Sequence, residues 1–170
     1  NGGKPVIVVN GYIPSLLNLF QKPDSRTVVF LIRNREDIQS PISWSLLRKQ
    51  LLGDENHPPA NPAGSIRRDA WTGNLPVTPQ GVLNGQKNVA HLSSGPLEGL
   101  REAHIMMGRA INDTPFGQQL LEAGYPESQI KYLTENPKVR YFNAEAGTYT
   151  EEPLFQLTQY REPWEALAII

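Results

Sequence analysis

Residues 86 to 104 read QKNVAHLSSGPLEGLREAH, a serine-rich turn carrying His91 that runs straight into an apolar-periodic segment. Pro96 suits the first position of a helix, and Leu97, Leu100, His104, Met107 and Ile111 recur at helical spacing. Gly99 and Gly108 weaken that helix. Eleven residues past His91 stands Glu102, on the second turn and on the same side as Glu98. A histidine that acts as a nucleophile needs one ring nitrogen exposed and the other held by an acceptor, which fixes the tautomer and stabilises the cation formed on attack. Glu102 is placed to fold back as that acceptor, Ser93 can bond the ring or a ligand, and the helix N-terminus favours an anion such as phosphate. The same spacing also describes a surface histidine followed by glutamates that merely complement a helix dipole.

Outward from this stretch, PVIVVNG (5–11) reads as a buried strand, PSLLNLFQK (14–22) as a short helix, and SRTVVFLIRN (25–34) as the strongest strand. SPISWSLLRKQLLG (40–53) predicts a helix with Ser40 as N-cap, Pro41 at the first position, Trp44, Leu47 and Leu51 on one face, and Gly53 closing it. Residues 54–87 read mostly as proline-rich loop, NVAH (88–91) as a short strand, TPFGQQLLEAGYP (114–126) as a short helix, and KVRYFN (138–143) as a strand. The division expected is a domain over 5–112 and an extended, irregular proline- and aromatic-containing tail over 113–170 that packs on its own domain or on a partner.

Composition narrows the function classes. Sixteen Lys and Arg against 17 Asp and Glu give a net charge of −1, which offers no global attraction to nucleic acid, and no nucleic-acid partner is expected. The chain has no cysteine, so thiolate metal sites and thiol nucleophiles are excluded, and three scattered histidines argue against a histidine-rich metal site. No apolar run is long enough to span a bilayer. The first residue is Asn rather than Met, which leaves a processed leader or an upstream segment open.

Four pieces in order, RKQLLG (48–53), NPAGSIRRD (61–69), NVAHLSS (88–94) and GPLEGLREA (95–103), resemble the nucleoside diphosphate kinase family, whose members carry a helix ending in an R-x-x-L-G-like pattern, a P-G-T-I-R-G-D segment, an N-x-x-H-G-S turn and a following glutamate. The resemblance covers roughly residues 11–107. It implies an α+β fold with a ferredoxin-like antiparallel sheet and flanking helices, self-association, and transfer of a γ-phosphate through a phosphohistidine. By resemblance His91 is the nucleophile, Glu102 orients its ring and Ser93 supports the site. Arg67 and Asn88 match nucleotide-binding positions, Tyr12 or Ile13 falls near the base-stacking aromatic, and Lys49 stands where the family has a second phosphate-binding arginine. Arg48 takes that place only if the helix register shifts. An active site of this kind uses Mg²⁺ with its nucleotide.

The sequence also departs from the family. Leu92 replaces the glycine after the histidine, Ser94 an acidic residue and Arg68 a glycine, and the Arg67-to-His91 interval is longer. The family's K-P-D-G motif is absent from the end of the first strand, and the Lys22–Asp24 occurrence reads as a helix-ending turn. The N-terminal half is short for the family. These departures favour a degenerate domain serving as an accessory, structural subunit of a larger assembly, without a cofactor and bound to other subunits through its tail. A mitochondrial complex and a ciliary structure are both compatible settings. The alternatives are an active kinase, expected in the cytoplasm, or a nucleotide-binding module without turnover, with Arg67 and Lys49 as phosphate clamps.

Overall fold

A serine and a glycine bound the first described helix, and an extra residue is inserted between them. The computed structural model describes residues 17, 21–24, 26–32, 42–75 and 89–170. The chain divides into two units, Asn1–Phe30 and Leu31–Ile170, and the elements below belong to the second. Helix α1 (Trp44–Leu46) begins after Ser43, whose Oγ accepts the Leu46 N–H at 3.2 Å, and continues directly as a π-helical turn, Leu47–Leu52. Ser43 therefore does the capping expected of Ser40, which lies outside the described residues. Gly53, at φ 88°, closes the turn, its N–H reaching back to the Arg48 carbonyl at 2.9 Å. The π spacing displaces the buried face by one residue, so Leu52 is buried and Leu51 is exposed, the reverse of the regular helical expectation.

Helix α2 (Ile66–Thr72) corrects the expectation of loop over 54–87. Its boundaries are Ser65, extended, and Gly73, left-handed at φ 80°. With seven residues of mixed polarity, IRRDAWT, it is too short to show a helical repeat in sequence.

Helix α3 (Pro96–Met107) is the helix predicted from the opening stretch. Gly95 precedes it because the Thr158 carbonyl approaches so closely that a β-carbon there would lie 2.5 Å from the oxygen. Gly108, left-handed at φ 65°, ends it. The Arg109 N–H then bonds the Ala103 carbonyl at 3.2 Å, satisfying an orphan helix-end acceptor. Leu97, Leu100 and Ala103 form its buried stripe, whereas His104 and Met107, predicted on that face, are exposed.

The segment expected to be an irregular tail is folded. Helices α4 (Pro115–Glu122) and α5 (Glu127–Thr134) are followed by strands β1 (Lys138–Asn143) and β2 (Thr148–Pro153), then by α6 (Leu154–Thr158) and α7 (Pro163–Ile169). Thr114 caps α4, its Oγ1 accepting the Gly117 N–H at 3.2 Å, with Pro115 in the first position. β1 and β2 pair antiparallel from Lys138↔Pro153 to Asn143↔Thr148. Several of the tail's apolar residues are buried, while Trp164 and Tyr149 stay exposed. Leu97 and Leu100 of α3 share one core with Ile111, Phe116, Leu120, Ile130, Leu133, Leu154, Phe155 and Ala166. Each large aliphatic side chain buried this way contributes about 1.5–3 kcal/mol of transfer free energy, which an extended arm would forgo.

The architecture is mixed α+β, and the pair β1–β2 is its antiparallel sheet among the described residues. Thr27–Ile32, predicted as the strongest strand, carries no ladder there, and Val28 and Phe30 are exposed. Val89–His91 likewise forms no strand. β-Propensity is realised only against a partner strand, and neither segment has one among the described residues. The strand predicted over 5–11 lies outside them. The predicted helix over 14–22 is described only in part: Leu17 is helical and accepts the Gln21 N–H at 3.0 Å. Lys22–Asp24 follow as bend and turn.

Candidate functional site

Four donors from three parts of the chain hold the turn that carries His91. The Ala90 carbonyl accepts Arg67 Nη2 at 3.0 Å, and the Leu92 carbonyl accepts Arg48 Nη1 at 2.6 Å. The Ser93 carbonyl accepts the Trp44 indole N–H at 2.7 Å, and the Ser94 carbonyl accepts the Tyr160 N–H at 2.7 Å. Trp44 and Arg48 are four residues apart, one above the other on a single face of α1 and its π turn, and so reach adjacent carbonyls. From the other side, Glu98 of α3 accepts the Ser94 N–H. A loop whose backbone is paired this fully is fixed before any ligand arrives.

On this turn, His91 Nε2 lies 2.7 Å from Glu102 Oε1, and Ser93 Oγ donates to Glu102 Oε2 at 2.5 Å. An ionised carboxylate only accepts, so the neutral imidazole carries its proton on Nε2 and leaves Nδ1 with a free lone pair. Nδ1 makes no hydrogen bond among the described residues, and the His91 side chain is 61% exposed. One nitrogen is held and the other is presented, which is what nucleophilic catalysis by histidine requires.

The Glu102 hydrogen bond raises the His91 pKa above its ordinary value, burial opposes it, and the Glu102 and Glu98 charges add to the rise while Arg48 works against it. For Glu102, burial pushes upward most strongly, but the hydrogen bonds from His91 and Ser93 together with the His91 and Arg101 charges outweigh it, and the carboxyl is held below its ordinary value. The His91–Glu102 ion pair therefore contributes most below the unfolded-state histidine pKa of about 6.5. Its contribution fades as pH rises through the raised folded value, and, at the acid end, as pH falls through the lowered Glu102 value. An NMR titration of the His91 ring is expected to give a midpoint above about 6.5 and to fall back towards it in Glu102→Gln. A midpoint unmoved by that substitution would show that the carboxylate does not govern the ring.

Of the residues predicted from sequence, the fold brings together His91, Ser93, Glu102 and Arg67. Asn88 and Tyr12 lie outside the described residues. Arg67 is buried, with Nη1 on the Gly53 carbonyl at 2.6 Å and Nη2 shared between Ala90 and Glu55, so its guanidinium braces the backbone under the turn. Its Nε has no partner among the described residues. Lys49 is exposed, and Arg48 instead faces the histidine turn. Comparison with protein-family models, curated proteins and solved structures returns no match. The site is therefore read from its own geometry.

Trp44, Glu98 and Tyr160 belong to the site but were not assigned roles from sequence. Glu98 had a local signal in its helical spacing to Glu102, whereas Tyr160 arrives from the far end of the chain and had none. The ligating atoms of His91, Glu98 and Glu102 lie within 4.8 Å of one another. Glu102 is engaged by His91 and Ser93, and one oxygen of Glu98 by the Ser94 N–H; exposed acidic groups commonly cluster in this way without an ion.

Proposed function

We propose that His91 accepts a phosphoryl group from a nucleoside triphosphate and passes it to a nucleoside diphosphate, as in the kinases that the sequence resembles. The observation that carries this reading is the His91–Glu102–Ser93 arrangement, with Nε2 held at 2.7 Å and Nδ1 presented. Nδ1 attacks the γ-phosphorus, an N–P bond forms, and the bond from phosphorus to the bridging oxygen breaks to release the diphosphate. The ring becomes cationic, and Glu102 stabilises it through the retained Nε2–H. The acceptor's terminal phosphate oxygen then attacks the phosphohistidine and restores the neutral ring. Arg48 supplies positive charge beside the turn in the place first assigned to Lys49. Mg²⁺ enters with the nucleotide phosphates. The reading carries with it a ferredoxin-like sheet behind the site.

The accessory-subunit reading rests on Leu92, Ser94, Arg68, the displaced K-P-D, the short N-terminal half and the family-foreign tail; of these, the tail buries Leu154, Phe155 and Ala166 in a core shared with α3 of its own chain. The test is incubation with γ-labelled ATP. Wild type is expected to acquire an acid-labile, base-stable phosphate that is absent from His91→Ala. No label in wild type, or label that persists in His91→Ala, overturns the assignment.

A further inference from the structure

The residues that close the C-terminal segment over the histidine turn have no local reason to be there. Tyr160 adopts φ 58°, a left-handed conformation that a residue with a β-carbon adopts reluctantly. It is held there from both sides. Thr158 presses its carbonyl against Gly95, and Glu162 Oε1 accepts the Trp44 backbone N–H at 2.8 Å. The outcome is that the Tyr160 N–H reaches the Ser94 carbonyl, while its ring lies 5.2 Å from the Arg48 guanidinium carbon. Arg48 therefore has two fixed partners, the Leu92 carbonyl for one N–H and an aromatic face for its plane. A guanidinium fixed this way keeps its remaining N–H groups in one orientation, near enough to His91 for its charge to act on the ring.

We propose that Tyr160 is a positioning residue for phosphoryl transfer, orienting Arg48 so that it meets the phosphoryl oxygens brought to His91. The proposal rests on the phosphoryl-transfer reading and extends it, because it makes the C-terminal segment part of the site. Arginine orientation matters most as charge develops on the transferring group, so the ring acts on the rate at saturating nucleotide more than on nucleotide affinity.

The experiment is a double-mutant cycle, reading single-turnover labelling from γ-labelled ATP over a range of nucleotide concentrations. Tyr160→Gly removes the ring and suits the left-handed backbone, and Tyr160→Phe keeps the ring. Each is made with Arg48 and with Arg48→Ala, and far-UV circular dichroism checks that each folds. Tyr160→Gly is expected to lower the saturating rate by about threefold to tenfold, Tyr160→Phe to retain it, and Tyr160→Gly to have no further effect once Arg48 is alanine. An unchanged rate in Tyr160→Gly, a loss in Tyr160→Phe equal to that in Tyr160→Gly, or additive losses with Arg48→Ala would overturn the proposal while leaving the histidine assignment standing. Absence of label in wild type would remove both.

Discussion

Glu102→Gln is expected to slow phosphohistidine formation on the order of 10²-fold or more, the range associated with losing a positioned acid–base partner, while leaving the fold intact. The carboxylate accepts from His91 Nε2 and from Ser93 Oγ and has no alternative state at neutral pH. A glutamine amide presents both a donor and an acceptor to the same two groups. Where its NH₂ faces the ring, it stabilises the tautomer with the proton on Nδ1 and removes the nucleophilic lone pair. The neutral amide also withdraws the negative charge that offsets the cation formed on attack. The stability change should be small by comparison, because the ring is largely exposed and exposed ion pairs contribute about 0–1 kcal/mol. Single-turnover labelling alongside urea unfolding separates the two effects. A rate within twofold of wild type would mean that Glu102 has only a structural role.

Leu97→Ala is expected to cost about 2–5 kcal/mol of folding stability. Leu97, in the first turn of α3, is fully buried in the core that α3 shares with α4, α5, α6 and α7. Alanine there removes the packing of a whole isobutyl group and leaves a cavity that surrounding helices can fill only in part. The same helix carries Glu98 and Glu102, so loosening α3 also loosens the hydrogen bonds to Ser94, Ser93 and His91. Urea unfolding checks the size of the loss. A change below about 1 kcal/mol, small for a core truncation, would mean that α3 is not the scaffold of the site.

What the sequence disclosed depended on whether the causes were local. α3 was legible because its apolar spacing, proline start and left-handed glycine end all lie within one stretch, and β1 because KVRYFN is rich in β-formers. The glutamate eleven residues beyond His91 proved close in space because the turn before α3 folds back alongside the helix's first two turns. α2 was missed because seven residues between Ser65 and Gly73 are too few to establish a period. The π turn was missed because no residue type specifies an inserted position, and it is this turn that buries Leu52 rather than Leu51. Within the tail, α4 was legible in TPFGQQLLEAGYP; the rest was expected to be irregular because its prolines look like interruptions, and Pro163 instead begins a helix. The contact of Tyr160 with Arg48 is a product of the whole fold and leaves no mark in either segment.

The phosphoryl-transfer proposal puts the phosphoryl group on the His91 nitrogen that Glu102 does not hold. Phosphorus NMR of protein isolated after reaction with ATP, with the ring nitrogens ¹⁵N-labelled, tests it most directly, since it distinguishes the two phosphohistidine isomers. The expected result is phosphate on Nδ1 of His91, lost in His91→Ala; phosphate on Nε2, or no phosphohistidine at all, would contradict it.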